Sequence, residues 1–151
     1  MATFGARSKR ERATIDPRLV AVLDHVIPHT DFTILKGRRG RADQDEAKAT
    51  GASNVDWPDS NHNCPIPEDG VPREEWREDP DGLSRAVDVA PWPIDWNDQR
   101  QFAYLAGRLV QAGKDMGIRI RWGGDWNEDG QGVWRDPRER FLDMPHIEVV
   151  D

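Results

Sequence analysis

Residues Ser84 to Pro91 run SRAVDVAP, a short apolar stretch that ends in proline and carries one carboxylate, Asp88. Its length and its valines, Val87 and Val89, predict a strand. A carboxylate buried in such a strand without a partner is costly, so a positive group is expected beside Asp88. Downstream, Phe102, Leu105, Leu109, Val110 and Met116 recur at helical spacing, which predicts an amphipathic helix from about Asn97 that stops at Gly117. GIRIRW then alternates, with Ile118, Ile120 and Trp122 on one side, as a strand does. A loop over 123–144 leads to a final strand from Pro145 to Val150.

Upstream of Ser84 the pattern dissolves. Ala52 to Gly82 is rich in Pro, Asp, Asn and Gly and keeps no apolar period, so an irregular insertion is expected at about 52–82. It begins near one candidate site residue and ends near another, the placement of a lid. Before it, Asp16-Pro17 has the chemistry of an N-cap followed by the first helical residue. Leu19, Val20, Leu23, Val26 and Ile27 continue that helix to Pro28. DFTILKG (Asp31 to Gly37) reads as a strand, and Ala42 to Thr50 as a helix closed by Gly51. The expectation is one α+β domain over residues 1–151, with a small antiparallel sheet flanked by helices.

Composition narrows the function. A formal charge of -7 argues against nucleic-acid binding, which rests on neutralising phosphates. The arginine groups Arg38, Arg39, Arg41 and Arg119, Arg121 have acidic neighbours and read as charged surface. No run approaches the ~20 apolar residues of a membrane span, and MATFGARSKRERATIDP lacks the apolar centre of a secretory leader. No stable membrane association is expected. The single Cys64 excludes an internal disulfide and any all-cysteine zinc site.

There are 4 histidines. His25 and His29 belong to the first helix and its end, where structural or solvent roles are the default. His62 and His146 lie in or beside loops, near carboxylates. A hydrolytic zinc site takes three protein ligands and a base for the attacking water. His62, Asp88 and His146 are candidate ligands, and Asp143 the candidate base. The competing reading is an ion-paired Asp88 with two surface histidines, and spacing alone leaves both open. Glu148 falls on the same strand face as His146 and is a candidate to orient an imidazole, against an exposed or ion-paired carboxylate. Trp126 is a candidate aromatic rim, against core packing.

DWNEDGQGVWRD (Asp125 to Asp136) places Asp125, Asn127 and Asp129 at the first, third and fifth positions of a calcium loop, with Gly130 sixth and Asp136 twelfth. Calcium is therefore a candidate second metal. The alternative is a solvated acidic loop with Asp125 turned to the zinc site.

Four stretches resemble the phage L-alanyl-D-glutamate peptidases, within the zinc D-Ala-D-Ala carboxypeptidase (VanY-like) family of Hedgehog/DD-peptidase-like fold. They are DFTILKGRRGRADQ (Asp31 to Gln44), SNH (Ser60 to His62), SRAVDVAPWPIDW (Ser84 to Trp96), and IRWGGDW (Ile120 to Trp126) with DMPHIE (Asp143 to Glu148). The resemblance implies zinc on His62, Asp88 and His146, Asp143 as catalytic base and Arg39 as the residue that polarises the scissile carbonyl, with Arg38 its neighbour. It makes Gln44 and Ser60 expected substrate contacts. In the family's commonest spacing the first histidine would fall at Asp81, so a loop is inserted before Asp88, with Asp81 or Cys64 as alternative ligands. Loop length costs little free energy.

The resemblance further implies a monomeric endolysin that cuts the L-Ala-D-Glu bond of bacterial peptidoglycan and lyses the host. It would be made in the host cytoplasm and would act in the periplasm or cell wall after holin-dependent release, in a host with thin peptidoglycan. The rival expectations are D-Ala-D-Ala carboxypeptidase or dipeptidase action, and a non-catalytic metal-stabilised binding domain.

Overall fold

The computed structural model describes residues 1–132, 135 and 142–151. Its helices are α1 (Ala6–Arg12), α2 (Pro17–Val26), α3 (Arg41–Ala49) and α4 (Gln99–Asp115). Its strands are β1 (Phe32–Lys36), β2 (Pro65–Ile66), β3 (Arg77–Glu78), β4 (Ala86–Pro91), β5 (Ile120–Trp122) and β6 (His146–Val149). The main sheet has the order β1-β4-β6-β5 and is antiparallel throughout. The class is α+β, as the pattern of the sequence implies.

Strand alternation divides this sheet into two chemical faces. Ile34, Val87, Val89, Ile147, Val149, Ile120 and Trp122 join Leu19, Leu23, Leu105 and Leu109 of α2 and α4 in one buried core. Each such side chain contributes roughly 1.5–3 kcal/mol by leaving water. The intervening residues belong to the other face. Asp88 lies opposite His146, and Glu148 lies between Ala86 on one neighbour and Arg121 on the other.

Asp16 caps α2 as its sequence implies, its side chain accepting from the Arg18 amide at 2.8 Å. α1 has no apolar period and its helix is not apparent from pattern. Tertiary contacts hold it: buried Ser8 Oγ accepts from the Ile34 amide and Glu11 accepts from the Gly37 amide, at 3.0 and 2.9 Å. These bonds cover the free edge of β1, which would otherwise expose unpaired backbone groups.

The segment 52–82 is folded. A two-stranded hairpin, β2 with β3, ties its second half together. The Asp79 amide donates to the Cys64 carbonyl at 2.7 Å, and the Arg85 amide to the Asn61 carbonyl at 3.1 Å. The result is a wall beside β4 rather than a loose excursion. Among the described residues no helix is long and apolar enough to cross a membrane.

Candidate active site

Asp88 on β4 and His146 on β6 are register partners, and the segment 52–82 brings His62 beside them. One donor atom from each of His62, Asp88 and His146 lies within 4.8 Å of the others. Among the described residues no other group of three such side chains converges in this way. His62 Nε2 is 3.2 Å from Asp88 Oδ1, and His146 Nδ1 is 3.7 Å from the same oxygen.

The hydrogen bonds on the far sides of the rings fix which nitrogens face inward. The Gly37 carbonyl, 2.7 Å from His62 Nδ1, can only accept, so that nitrogen carries the hydrogen and Nε2 presents its lone pair. Glu148 Oε1 lies 3.0 Å from His146 Nε2 and accepts its hydrogen, leaving Nδ1 turned to Asp88. Burial would raise the Glu148 carboxyl, but His146 and Arg121 outweigh it and hold it below the ordinary range. Glu148 is therefore ionised and a strong acceptor. Such outer partners set the tautomer of a metal-binding histidine.

The charges at this centre are compatible with a bound cation. Burial opposes protonation of His146, yet Asp88, Glu148 and Asp143 outweigh it and raise its pKa to about 9. Burial would likewise raise Asp88, and the two imidazoles overcome it and hold the carboxyl well below the usual carboxylate range. Two imidazole nitrogens and one carboxylate oxygen form a donor set that suits zinc and leaves room for a fourth ligand. The residues fit the metal.

Asp143 Oδ2 stands 3.9 Å from His146 Nδ1. Its pKa is raised to about 6, first by burial and also by Asp88, against the lowering effect of His146, His62 and Arg39. The approach of its loop needs Gly123. The Asp143 amide donates to the Gly123 carbonyl at 2.8 Å, and a Cβ at Gly123 would lie 2.2 Å from the Asp143 carbonyl oxygen.

Arg39 donates to Asp88 Oδ2 and to Gln44 Oε1, each at 3.2 Å. Gln44 is 0% exposed and donates onward to Ser53 Oγ and the Val55 carbonyl. The sequence expectation that Gln44 contacts substrate is thus corrected: it is buried behind Arg39 and orients it. Arg38 turns away, donating to the Gly82 carbonyl at 2.8 Å. Cys64 and Asp81 do not join the donor group; the Asp81 amide is tied to Asp79 at 3.0 Å.

These groups open on a cleft of about 740 Å³ lined by Arg39, Ser53, Ser60, Asn61, His62, Arg121, Trp126, Asp143, His146 and Glu148. Ser60 lines the cleft, and its Oγ accepts from the His62 amide at 3.2 Å. The Trp126 ring lies against His146, with centroids 5.2 Å apart. Trp92 and Trp96 are exposed and do not line the cleft, whereas Trp122 is core.

A profile of the phage L-alanyl-D-glutamate peptidases matches residues 1–150. The chain belongs to this family. It is 32% identical over 153 residues to the L-alanyl-D-glutamate peptidase of Escherichia phage T5, covering 97% of each protein. In fold it is similar to the crystal structure of Serratia marcescens L-Ala D-Glu endopeptidase ChiX, with a TM-score of 0.65 and 23% identity over 98% of this chain and 90% of that one.

In this member of the phage L-alanyl-D-glutamate peptidase family, several site residues escape a reading by motif. Asn61 and Arg121 both donate to Glu148 Oε2, Arg121 at 3.1 Å. Asn63 donates to the Arg39 carbonyl at 2.9 Å, and the Gly37 carbonyl positions His62. The alternation of GIRIRW is the one signal that could have drawn Arg121 from the surface, because it puts that residue on the face of Glu148.

The acidic loop is bound up with its own backbone. Gly130 N donates to Asp125 Oδ2, Asp129 N to Asn127 Oδ1 and Gln131 N to Asp129 Oδ1, at 3.0, 3.1 and 2.8 Å. Asp125 Oδ1 is buried without a hydrogen-bond partner. Asp136 lies outside the described residues.

Proposed function

We propose that this cleft hydrolyses the L-Ala-D-Glu amide of the peptidoglycan stem peptide, with one zinc ion held by His62, Asp88 and His146. Family membership makes the protein a phage-type peptidoglycan peptidase. The observation that carries the metal assignment is the triangle of donors within 4.8 Å, with Gly37 and Glu148 fixing both imidazole tautomers.

Zinc held there would polarise the scissile carbonyl and bring the pKa of a coordinated water towards 7. The chain's own residues do the rest. Asp143, made more basic by burial, takes the proton of the attacking water and returns it to the departing amine. Arg39 lines the cleft with donors beyond those used by Asp88 and Gln44, and meets the charge that develops on the carbonyl oxygen. Gln44 and Asn63 hold Arg39 in place. Ser60 and Trp126 line the substrate groove.

The same reading takes the chain as one domain, with 52–82 as an insertion that shapes the cleft wall. It makes the protein a monomeric endolysin, synthesised in the host cytoplasm and released to the wall through a holin. Calcium is a second metal for the 125–136 loop, and the unpartnered Asp125 Oδ1 is the observation in its favour. Calorimetry showing no heat at millimolar calcium would remove it.

The test of the function is mass spectrometry of defined muropeptides digested with and without chelator. Cleavage between L-Ala and D-Glu, lost with chelator and restored by zinc, is expected. Loss of terminal D-Ala instead would reassign the enzyme as a carboxypeptidase.

A further inference from the structure

The substrate presents a charge that the mechanism above leaves unmet. A glutamyl residue on the amine side of the cut bond has two carboxyl groups, and only one can carry the continuing peptide. Whichever does, the other is a free carboxylate a few bonds from the scissile nitrogen. A cleft that selects this residue needs a cation close to the metal centre and not already used by the chemistry.

Apart from the two histidines of the donor group, Arg39 and Arg121 are the basic side chains among the described residues lining the cleft. Arg39 holds Asp88 and Gln44, and its remaining donors are assigned to the scissile carbonyl oxygen. Arg121 projects from β5 on the metal-binding face of the sheet, next to β6, which bears His146. Its guanidinium lies 5.9 Å over the Trp126 ring, and that ring packs on His146. One Nη2 contact, at 3.1 Å, goes to Glu148, whose carboxylate also accepts from Asn61 and His146. Its Nε is buried and has no hydrogen-bond partner. A planar guanidinium stacked on a ring, 28% exposed at the cleft and carrying more N–H donors than Glu148 uses, suits a carboxylate.

We propose that Arg121 is a specificity residue that binds the free carboxylate of the glutamyl residue next to the cut bond; this rests on the proposed L-Ala-D-Glu cleavage. Arg121 then does two things with one group. It pairs with Glu148 behind His146, and it reads the substrate's charge in front of the metal. Trp126 fixes the plane of the guanidinium between them.

The experiment compares two synthetic peptides that differ only in that carboxyl, one free and one amidated, by kcat/KM on wild type, Arg121→Lys, Arg121→Gln and Asn61→Ala. Loss of a charge-assisted hydrogen bond is expected to disfavour the amide roughly ten- to a hundredfold in wild type. Arg121→Gln should slow both peptides by loosening Glu148, yet lose this preference, because only the acid also loses its cationic partner. Arg121→Lys should keep part of it. Asn61→Ala loosens Glu148 without removing the cleft cation, so it should slow both peptides alike and keep the preference. Zinc content, measured alongside, separates a specificity defect from a lost metal. Equal wild-type rates on acid and amide would overturn the proposal and leave L-Ala-D-Glu cleavage standing. So would an Arg121→Gln enzyme that loses both activities in parallel with its zinc. No cleavage of either peptide by zinc-loaded wild type would instead overturn the function on which the proposal rests.

Discussion

The two faces of the sheet are made by the same strands yet obey different chemistry. On β4 and β6, Val87, Val89, Ile147 and Val149 point into the helical core, while Asp88, His146 and Glu148, alternating with them, build the site. One face contributes stability through apolar area removed from water. The other gathers like and unlike charges in a group that could hold a cation, and concentrates perturbed acids and bases as functional sites do. Substitutions on the two faces should therefore fail in different ways.

The largest separation is expected at Asp143. Asp143→Asn should retain fold and zinc while kcat falls by about 10² to 10⁴, the usual worth of a general base. A variant with near-native turnover would take Asp143 out of that role, and one that unfolds would erase the distinction between faces. Ile147, one residue from His146 but 1% exposed in the core, should behave in the opposite way. Ile147→Ala should lower unfolding free energy by about 2–5 kcal/mol, read by urea denaturation, while the molecules that remain folded still bind zinc.

How much of this division is legible in the sequence depends on how local each cue is. Val87-Asp88-Val89 announces both the strand and its misplaced carboxylate within three residues, and Asp143 with His146 and Glu148 form a second compact cue. His62 is harder, because a long irregular segment separates it from Asp88 in sequence and only folding brings them to 3.2 Å. Backbone partners leave no trace in residue type. Nothing about Gly37 reveals that its carbonyl holds an imidazole. Gln44 shows the converse failure: a polar side chain in a shared motif reads as a substrate contact, yet it is buried and serves Arg39. α1 is invisible to periodicity because tertiary hydrogen bonds, not an apolar stripe, hold it.

A smaller effect sharpens the site face itself. Glu148→Gln should weaken zinc binding about 10- to 100-fold, measured by competition with a chromogenic chelator, because the His146 imidazole loses its charged acceptor. Unchanged affinity would reduce Glu148 to a buried ion pair with Arg121. The smallest effect is a proton count. His146 has its pKa raised to about 9 in the metal-free protein, so it is protonated at pH 7 and must lose that proton to ligate. The sign follows: zinc uptake releases at least about one proton at pH 7, and affinity falls as pH is lowered. Calorimetry in buffers of different ionisation enthalpy reads this directly, and zero release would mean that His146 is not protonated in the metal-free protein.

The most direct measurement is a crystal structure of the zinc-loaded protein with anomalous scattering recorded across the zinc edge. One peak is expected on the polar face of the sheet, bonded at about 2.0–2.2 Å to His62 Nε2, Asp88 carboxylate oxygen and His146 Nδ1. A peak bound through other residues, or through His146 Nε2 with Glu148 displaced, would contradict the arrangement on which the catalytic reading depends.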